Sequence, residues 1–200
     1  MEVTRLKFCE DTNMNSWNHF RSFPPLNFRD VVRPNFDTLY SIAYLDVDDA
    51  KVIHVPECNK YFVIPVIDMY TNVFASFKEA GAYTLCKSDW HGRVVGKKVV
   101  CPTSTVWVIS RIQADQIDTA HEYQDNLFIK DTDGFEVTSQ ACENVYHRPP
   151  LIEVEDMPID TFFALGFKLL KKYPPPPHDF NIVDRLRLST NPEDRKSTRL

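Results

Sequence analysis

The chain has 200 residues, of which 43% are hydrophobic, and its formal net charge is −5. This apolar content is enough for a buried core in one domain, or in one domain with part of another, and it excludes a chain that is disordered throughout. The acidic balance argues against nucleic acid as the main partner, because nucleic-acid-binding domains normally carry a basic face.

Short β-rich runs follow a polar N-terminal segment, residues 1–30, which we predict to be irregular. From residue 31 to residue 130, runs rich in β-branched and aromatic residues alternate with turn residues. They occupy 39–45, 50–56, 60–68, 71–77, 81–87, 97–102 and 103–112. Short strands with a turn about every ten residues predict a β-sandwich or a barrel.

The hydrophobic period becomes helical after these runs. Apolar residues at helical spacing predict a helix over 115–129, with Asp115 as its N-cap. A second helix is predicted over 158–173, because a proline precedes it, lysines lie in its last turn and four prolines at 174–177 end it. We therefore interpret residues 131–193 as a linker that contains this helix and the proline stretch.

The cysteines and the apolar runs limit the classes of site and of membrane association. The count is odd and no pair has C-x-x-C spacing, which argues against a zinc site and favours reduced, mostly buried thiols, although one oxidised pair could form across the fold. The cysteines are Cys9, Cys58, Cys86, Cys101 and Cys142. No apolar run approaches the roughly 20 residues that span a bilayer, and no signal-peptide pattern is present, so we predict a soluble chain of unknown compartment.

A polar stretch, R-P-N-F-D-T-L-Y, is the first candidate site. Asn35 and Asp37 can accept nearby backbone N–H groups in a turn, or Arg33 can clamp an anionic ligand while Asp37 serves as a base or metal ligand. Asp68 and Tyr70 follow an apolar strand. Residues two apart on a strand share a face, so both could point to one surface and join these residues in space. The candidate ligand-binding or structural cluster is Arg33, Asn35, Asp37, Tyr40, Asp68 and Tyr70. We favour a structural role, because no second acid or histidine lies nearby in sequence to complete a catalytic pair.

Motifs that would specify chemistry are absent from the sequence. There is no G-x-S-x-G nucleophile motif, no G-x-G-x-x-G phosphate loop, and no pair of histidines at metal-ligand spacing. We therefore predict no metal and no cofactor, and we assign no catalytic residue.

The polar stretch extends to V-V-R-P-N-F-D-T-L-Y-S-I-A-Y-L-D-V, and D-M-Y at 68–70 and V-W-V-I-S-R at 106–111 follow it. This combination resembles the family called domain of unknown function 1254 over residues 29–130. The resemblance implies a mainly β fold, an immunoglobulin-like β-sandwich over 31–130, which we combine with the two predicted peripheral helices. Members usually continue into a jelly-roll module, domain of unknown function 1214. We expect the chain to be a fragment without that module, and residues 194–200 resemble a translated sequencing adapter.

Three functions are compatible with these observations. The first is a scaffold or small-ligand-binding module at the N-terminus of a larger two-sandwich protein. The second is part of a hydrolase or redox enzyme of small organic molecules, with its site between the two sandwiches. The third is a structural or assembly component, and a homo-oligomer would fit it.

Overall fold

A computed structural model describes residues 1–11, 13–24, 35–137, 153–181 and 184. The chain divides into two compact units, residues 1–142 and 143–200. Arg33, the proline that follows it and the tail 194–200 lie outside the described residues.

The first unit is mainly β, and its described residues form two sheets. The strands are Asn18–His19 (β1), Thr38–Asp46 (β2), Lys51–Val55 (β3), Phe62–Ile67 (β4), Val73–Phe77 (β5), Gly81–Cys86 (β6), Lys97–Val100 (β7), Thr105–Gln113 (β8) and Phe128–Asp131 (β9). One sheet has the order β1-β2-β8-β4-β5 and the other β7-β6-β3-β9. All described strand pairs are antiparallel except β6–β7. The prediction of a mainly β, sandwich-type fold is confirmed, and the immunoglobulin-like connectivity stays a prediction.

Alternation along the strands decides which face of each sheet is buried. In β4, Phe62, Ile64 and Val66 are buried, whereas the residues between them are partly exposed. Burying one such side chain stabilises the fold by about 2 kcal/mol, so a slip of one residue would be costly. The Phe77 ring of β5 stacks on the Tyr83 ring of β6 with centroids 3.9 Å apart, and this contact joins the two sheets through one common core.

The predicted helix over 115–129 is shorter than expected. Helix α2 is Ile117–Asp125, and the following residues form β9, which pairs with β3. Ile129 lies opposite Ile53 and enters the core, so strand pairing outweighs the helical spacing that predicted a longer helix. The predicted N-cap Asp115 lies outside the helix and pairs with the Lys60 ammonium at 2.8 Å instead.

The prediction of an irregular segment over residues 1–30 is wrong for its described part. Helix α1 covers Glu2–Asp11, and β1 follows it. Arg5 is only 1% exposed, and its Nη2 lies 2.6 Å from Glu2 Oε1. The Phe8 ring also packs against Tyr44 at 5.3 Å. A helix whose buried face carries an ion pair lacks the apolar stripe by which sequence analysis recognises helices.

The cysteines are not all reduced. Cys9 is disulfide-bonded, whereas Cys58, Cys86 and Cys101 are free. Cys86 and Cys101 are buried and Cys58 is partly exposed, so the prediction of buried thiols applies to two of these three.

The second unit contains the predicted C-terminal helix. Helix α3 is Ile159–Lys172, and none of its residues is fully buried. The proline run follows it, as the sequence predicts. Among the described residues, no helix has both the length and the apolar character that crossing a bilayer requires.

Candidate functional site

The polar stretch of the first candidate site folds as a turn. Asn35 Oδ1 accepts the Asp37 N–H at 2.9 Å, and β2 begins at the next residue, Thr38. The Asp37 carbonyl accepts the Ala114 N–H at 2.8 Å, which ties the turn to the end of β8. The predicted local hydrogen bond and strand start are confirmed, and the Asp37 side chain is exposed.

Tyr40 lies on the outer face of its sheet, opposite Arg111 in register. The Arg111 guanidinium lies 5.4 Å from the centre of the tyrosine ring, a cation–π contact. Arg33 lies outside the described residues, so neither of its two candidate roles, a structural one or that of a clamp for an anionic ligand, is tested.

Asp68 organises the turn between β4 and β5. Its Oδ1 accepts the N–H groups of Tyr70 at 2.8 Å and Asn72 at 2.9 Å, and its Oδ2 accepts Asn72 Nδ2 at 3.1 Å. The side chain is buried, and between these partners Thr71 adopts φ 68°. That backbone conformation is strained for a β-branched residue, and the three bonds hold it in place. The D-x-Y motif thus has a structural role at Asp68.

The structure does not bring Asp37 and Asp68 together. Asp37 precedes Thr38, which pairs with Gln113, whereas Asp68 follows Ile67, which pairs with Trp107. Positions 113 and 107 are six residues apart on β8, which corresponds to roughly 20 Å. The expectation that the two motifs could meet is wrong for these two carboxylates, and a ligand-binding role for either motif stays a prediction.

A different group of polar residues lines a cleft between the end of β3, the segment that follows it, and α2. The cavity has a volume of about 550 Å³. Its lining residues come from these two walls and from the start of β9. They are His54, Val55, Pro56, Glu57, Cys58, Asn59, Thr119, Glu122, Tyr123, Asn126 and Phe128.

The α2 wall is one face of a short helix. Thr119, Glu122, Tyr123 and Asn126 have the spacing that places side chains in one helical stripe. The Tyr123 ring packs against the core ring of Phe62, with centroids 5.2 Å apart. Core packing therefore fixes the angle at which this stripe faces the cleft.

Gln124 anchors the other side of α2. Its Nε2 donates to the Tyr40 carbonyl at 3.0 Å and to Ser41 Oγ at 3.2 Å. Ser41 Oγ also lies 2.8 Å from His19 Nδ1. Burial, followed by the nearby Arg21 guanidinium, lowers the pKa of His19 to about 4. This serine–histidine pair resembles a nucleophile with its base, but Ser41 is only 1% exposed, so it serves the fold.

The opposite wall begins on β3. His54 lies opposite Phe128 in the β3–β9 pair, and antiparallel partners project from the same sheet face. Beyond the strand, the Lys60 N–H donates to Cys58 Sγ at 3.4 Å. This bond is internal to the segment, and the ion pair between Lys60 and Asp115 ties the segment to the residues that precede α2.

The charge of the cleft is negative. The Glu57 and Glu122 side chains are exposed and make no ion pair or hydrogen bond with any described residue. Burial, followed by the Lys130 ammonium, lowers the pKa of His54, so this ring is neutral near neutral pH. Burial also raises the pKa of Tyr123, which keeps its hydroxyl protonated.

Sequence reasoning did not identify this cleft. Its two halves, 54–59 and 119–128, lie far apart in sequence, and neither contains a known motif. One usable signal was the stripe of polar residues on one face of α2, which a helical wheel would display. Among the described residues, no group of three or more His, Cys, Asp or Glu side chains is placed to hold a metal ion.

Comparison with known proteins gives a fold and a family. No curated protein matches the chain. The crystal structure of the VPA0106 protein from Vibrio parahaemolyticus, a structural-genomics target, is similar with a TM-score of 0.55 and 18% identity, which shows the fold alone. The match covers 86% of this chain and 47% of that protein, so the chain spans about half its length. The model for the family "Protein of unknown function (DUF1254)" matches residues 14–131, more than half of the chain, and the chain therefore belongs to this family.

Proposed function

We propose that this chain is a small-ligand-binding module and that the ligand occupies the cleft between β3 and α2. The observation that carries the proposal is the cavity of about 550 Å³, in which polar side chains from two walls converge. Small-molecule sites typically have volumes of about 300–1,000 Å³ and a few convergent polar groups on an apolar lining.

The floor and the walls of the cleft differ as a binding site requires. Val55 and Tyr123 form a buried floor that belongs to the core. Glu57, Asn59 and Glu122 stand on the walls, exposed, and their side chains make no hydrogen bond with a described residue. Polar groups that the fold does not use are free to meet a ligand, and this supports binding.

Binding is favoured over catalysis by the cleft itself. Cys58 has the most reactive side chain of the lining, but its described hydrogen bond comes from the Lys60 backbone and not from His54. A thiol nucleophile requires an adjacent base or a strongly lowered pKa. The second hypothesis, an enzyme with a site between two sandwiches, would need the jelly-roll module that the family resemblance implies. We propose the same module as the partner of this chain.

The proposal is tested by screening a library of small organic molecules with two readouts. One is the melting temperature, and the other is the rate at which Cys58 is alkylated, followed by intact mass. Cys58 is the partly exposed free thiol in the cleft, whereas Cys86 and Cys101 are buried and serve as internal controls. A ligand in the cleft will raise the melting temperature and slow alkylation of Cys58 in a saturable manner.

A blocking variant places the effect in the cleft. Asn59→Trp introduces a large side chain at an exposed lining position, and we expect it to abolish both responses. Asp89→Trp, in the exposed loop between β6 and β7, is the matched control and should leave both responses intact. If no compound in the library changes Cys58 alkylation, the proposal is wrong.

A further inference from the structure

We infer that the cleft selects organic cations, namely ammonium groups attached to an apolar body. This inference rests on the proposed function and adds the chemical class of the ligand. Three features support it: the charges of the lining, an aromatic ring at the rim, and a lysine whose ammonium group already lies over that ring.

The lining carries negative charge on both walls. Glu57 follows β3 and Glu122 lies on α2, and no lysine or arginine is among the lining residues. Both carboxylates lack an ion-pair partner among the described residues. In a cleft with low-dielectric walls, unpaired charges of one sign concentrate ligands of the opposite sign. An ammonium group in the cleft would donate hydrogen bonds to a carboxylate of either wall, whereas a ligand carboxylate would be repelled by both walls.

The remaining polar groups of the lining fit the same ligand. Thr119, Asn59 and Asn126 offer oxygen acceptors, and an ammonium group has three N–H donors and no acceptor. His54 contributes no positive charge near neutral pH, because burial and the Lys130 ammonium lower its pKa. The lining residues themselves therefore offer hydrogen-bond acceptors to a cation and carry no fixed positive charge near neutral pH.

At the rim of the cleft, an ammonium group of the chain itself lies over an aromatic ring. Phe128 is 43% exposed, and the Lys130 Nζ lies 5.5 Å from the centre of its ring. This is a cation–π geometry, in which the negative face of the ring attracts the charge. The chain's own lysine thus occupies one face of a ring that lines the cleft. A ligand cation would gain from the same ring and would be repelled by Lys130, whereas a ligand anion would be attracted by Lys130.

Three probes with one shared body separate the ligand classes. They are 3-phenylpropylamine, 3-phenylpropan-1-ol and 3-phenylpropionate, which are cationic, neutral and anionic near neutral pH. We expect the amine to raise the melting temperature and to protect Cys58 from alkylation at concentrations about tenfold lower than the alcohol requires. The carboxylate should do neither.

Two substitutions test the inferred contacts with opposite signs. Glu122→Gln should lower the affinity for the amine by about tenfold, since it removes a charge-assisted hydrogen bond. Glu155→Gln, an exposed glutamate of the second unit, is the matched control and should change nothing. Lys130→Met keeps the apolar stem and removes the rim charge, so it should raise the affinity for the amine by about threefold.

The outcomes distinguish this inference from the proposed function. If the alcohol or the carboxylate protects Cys58 better than the amine, and Asn59→Trp abolishes that protection, the cleft binds ligands but its ligand class is not cationic. If Lys130→Met lowers the affinity for the probe that binds best, the preferred ligand is an anion, and the inference is overturned in the same way. If none of the three probes protects Cys58, the inference fails, and the broader library then decides whether the cleft binds anything.

Discussion

The Asp68 turn and the cleft lie in the same sandwich but use carboxylates in opposite ways. Asp68 is 2% exposed and accepts three hydrogen bonds from its own turn. Glu57 and Glu122 are exposed and accept none from the described residues. A buried carboxylate must be satisfied by the fold, whereas an exposed one in a concave site remains available. The contrast shows that burial with hydrogen bonding distinguishes the two roles better than residue type does.

For the buried, hydrogen-bonded carboxylate of this contrast, we expect Asp68→Ala to cause the largest loss of stability. The substitution leaves the N–H groups of Tyr70 and Asn72 without their acceptor and removes support from the strained Thr71. We expect the free energy of unfolding to fall by about 3 kcal/mol, because hydrogen bonds to a charged group are involved. Denaturant unfolding measures this change. Binding of a cleft ligand per folded molecule should be unaffected, and a loss below about 0.5 kcal/mol would remove Asp68 from the structural class.

The pH dependence of stability tests a second buried hydrogen-bond network, which contains His19, Ser41 and Gln124. The folded-state pKa of His19 is lowered to about 4 from its usual 6.5, so the unfolded chain binds the proton more readily than the folded protein. The His19 contribution is complete above pH 6.5 and is lost as the pH falls through 6.5 towards about 4. With allowance for solvent screening of the partly exposed ring, we expect a loss of about 2 kcal/mol.

A variant comparison isolates this contribution from the titration of carboxyl groups. His19→Gln retains a side chain that can hydrogen-bond Ser41 but does not titrate, so its stability should vary less with pH between 4 and 6.5. His91→Gln, in the exposed loop between β6 and β7, is the control and should retain the slope. Identical pH profiles for the wild-type chain and His19→Gln would show that the network is insensitive to protonation.

Asn35→Ala is expected to have an intermediate effect. It removes the acceptor of the Asp37 N–H in the turn that precedes β2, and one such bond contributes about 1 kcal/mol. Asp37→Asn changes an exposed side chain and keeps the backbone bonds, so the melting temperature should stay unchanged. If Asp37→Asn abolished ligand binding in a longer form of the protein at unchanged stability, the turn would be a site as well.

The smallest effect on stability is expected for the exposed carboxylates of the cleft. In the double variant Glu57→Gln and Glu122→Gln, the unfolding free energy should change by less than about 0.5 kcal/mol, because neither carboxylate is paired with a described residue. Binding of 3-phenylpropylamine should nevertheless be lost. Destabilisation by more than about 2 kcal/mol would mean that these carboxylates serve the fold, as Asp68 does.

Local pattern determined much of this fold. In β8, the alternation of Val106, Val108 and Ile112 with Trp107 and Arg111 predicts the buried face, because a period of two is a property of the backbone alone. In β4 all six residues are apolar, so only the fold decided which face is buried. The turn at Asn35 and the α3 helix followed by prolines are also local, since their hydrogen bonds and stops involve residues within a few positions. The R-P-N-F-D-T-L-Y, D-M-Y and V-W-V-I-S-R motifs likewise pointed to the family.

Tertiary structure alone decided the features that depend on distant partners. Helix α1 packs on the first sheet through the contact of Phe8 with Tyr44, and β9 became a strand because β3 offered Ile53 as a partner. The separation of the two predicted motifs and the assembly of the cleft from 54–59 and 119–128 depend in the same way on strand order. Hydrogen bonds and burial between residues far apart in sequence leave no periodic trace in either segment, so only the folded chain shows which side chains meet.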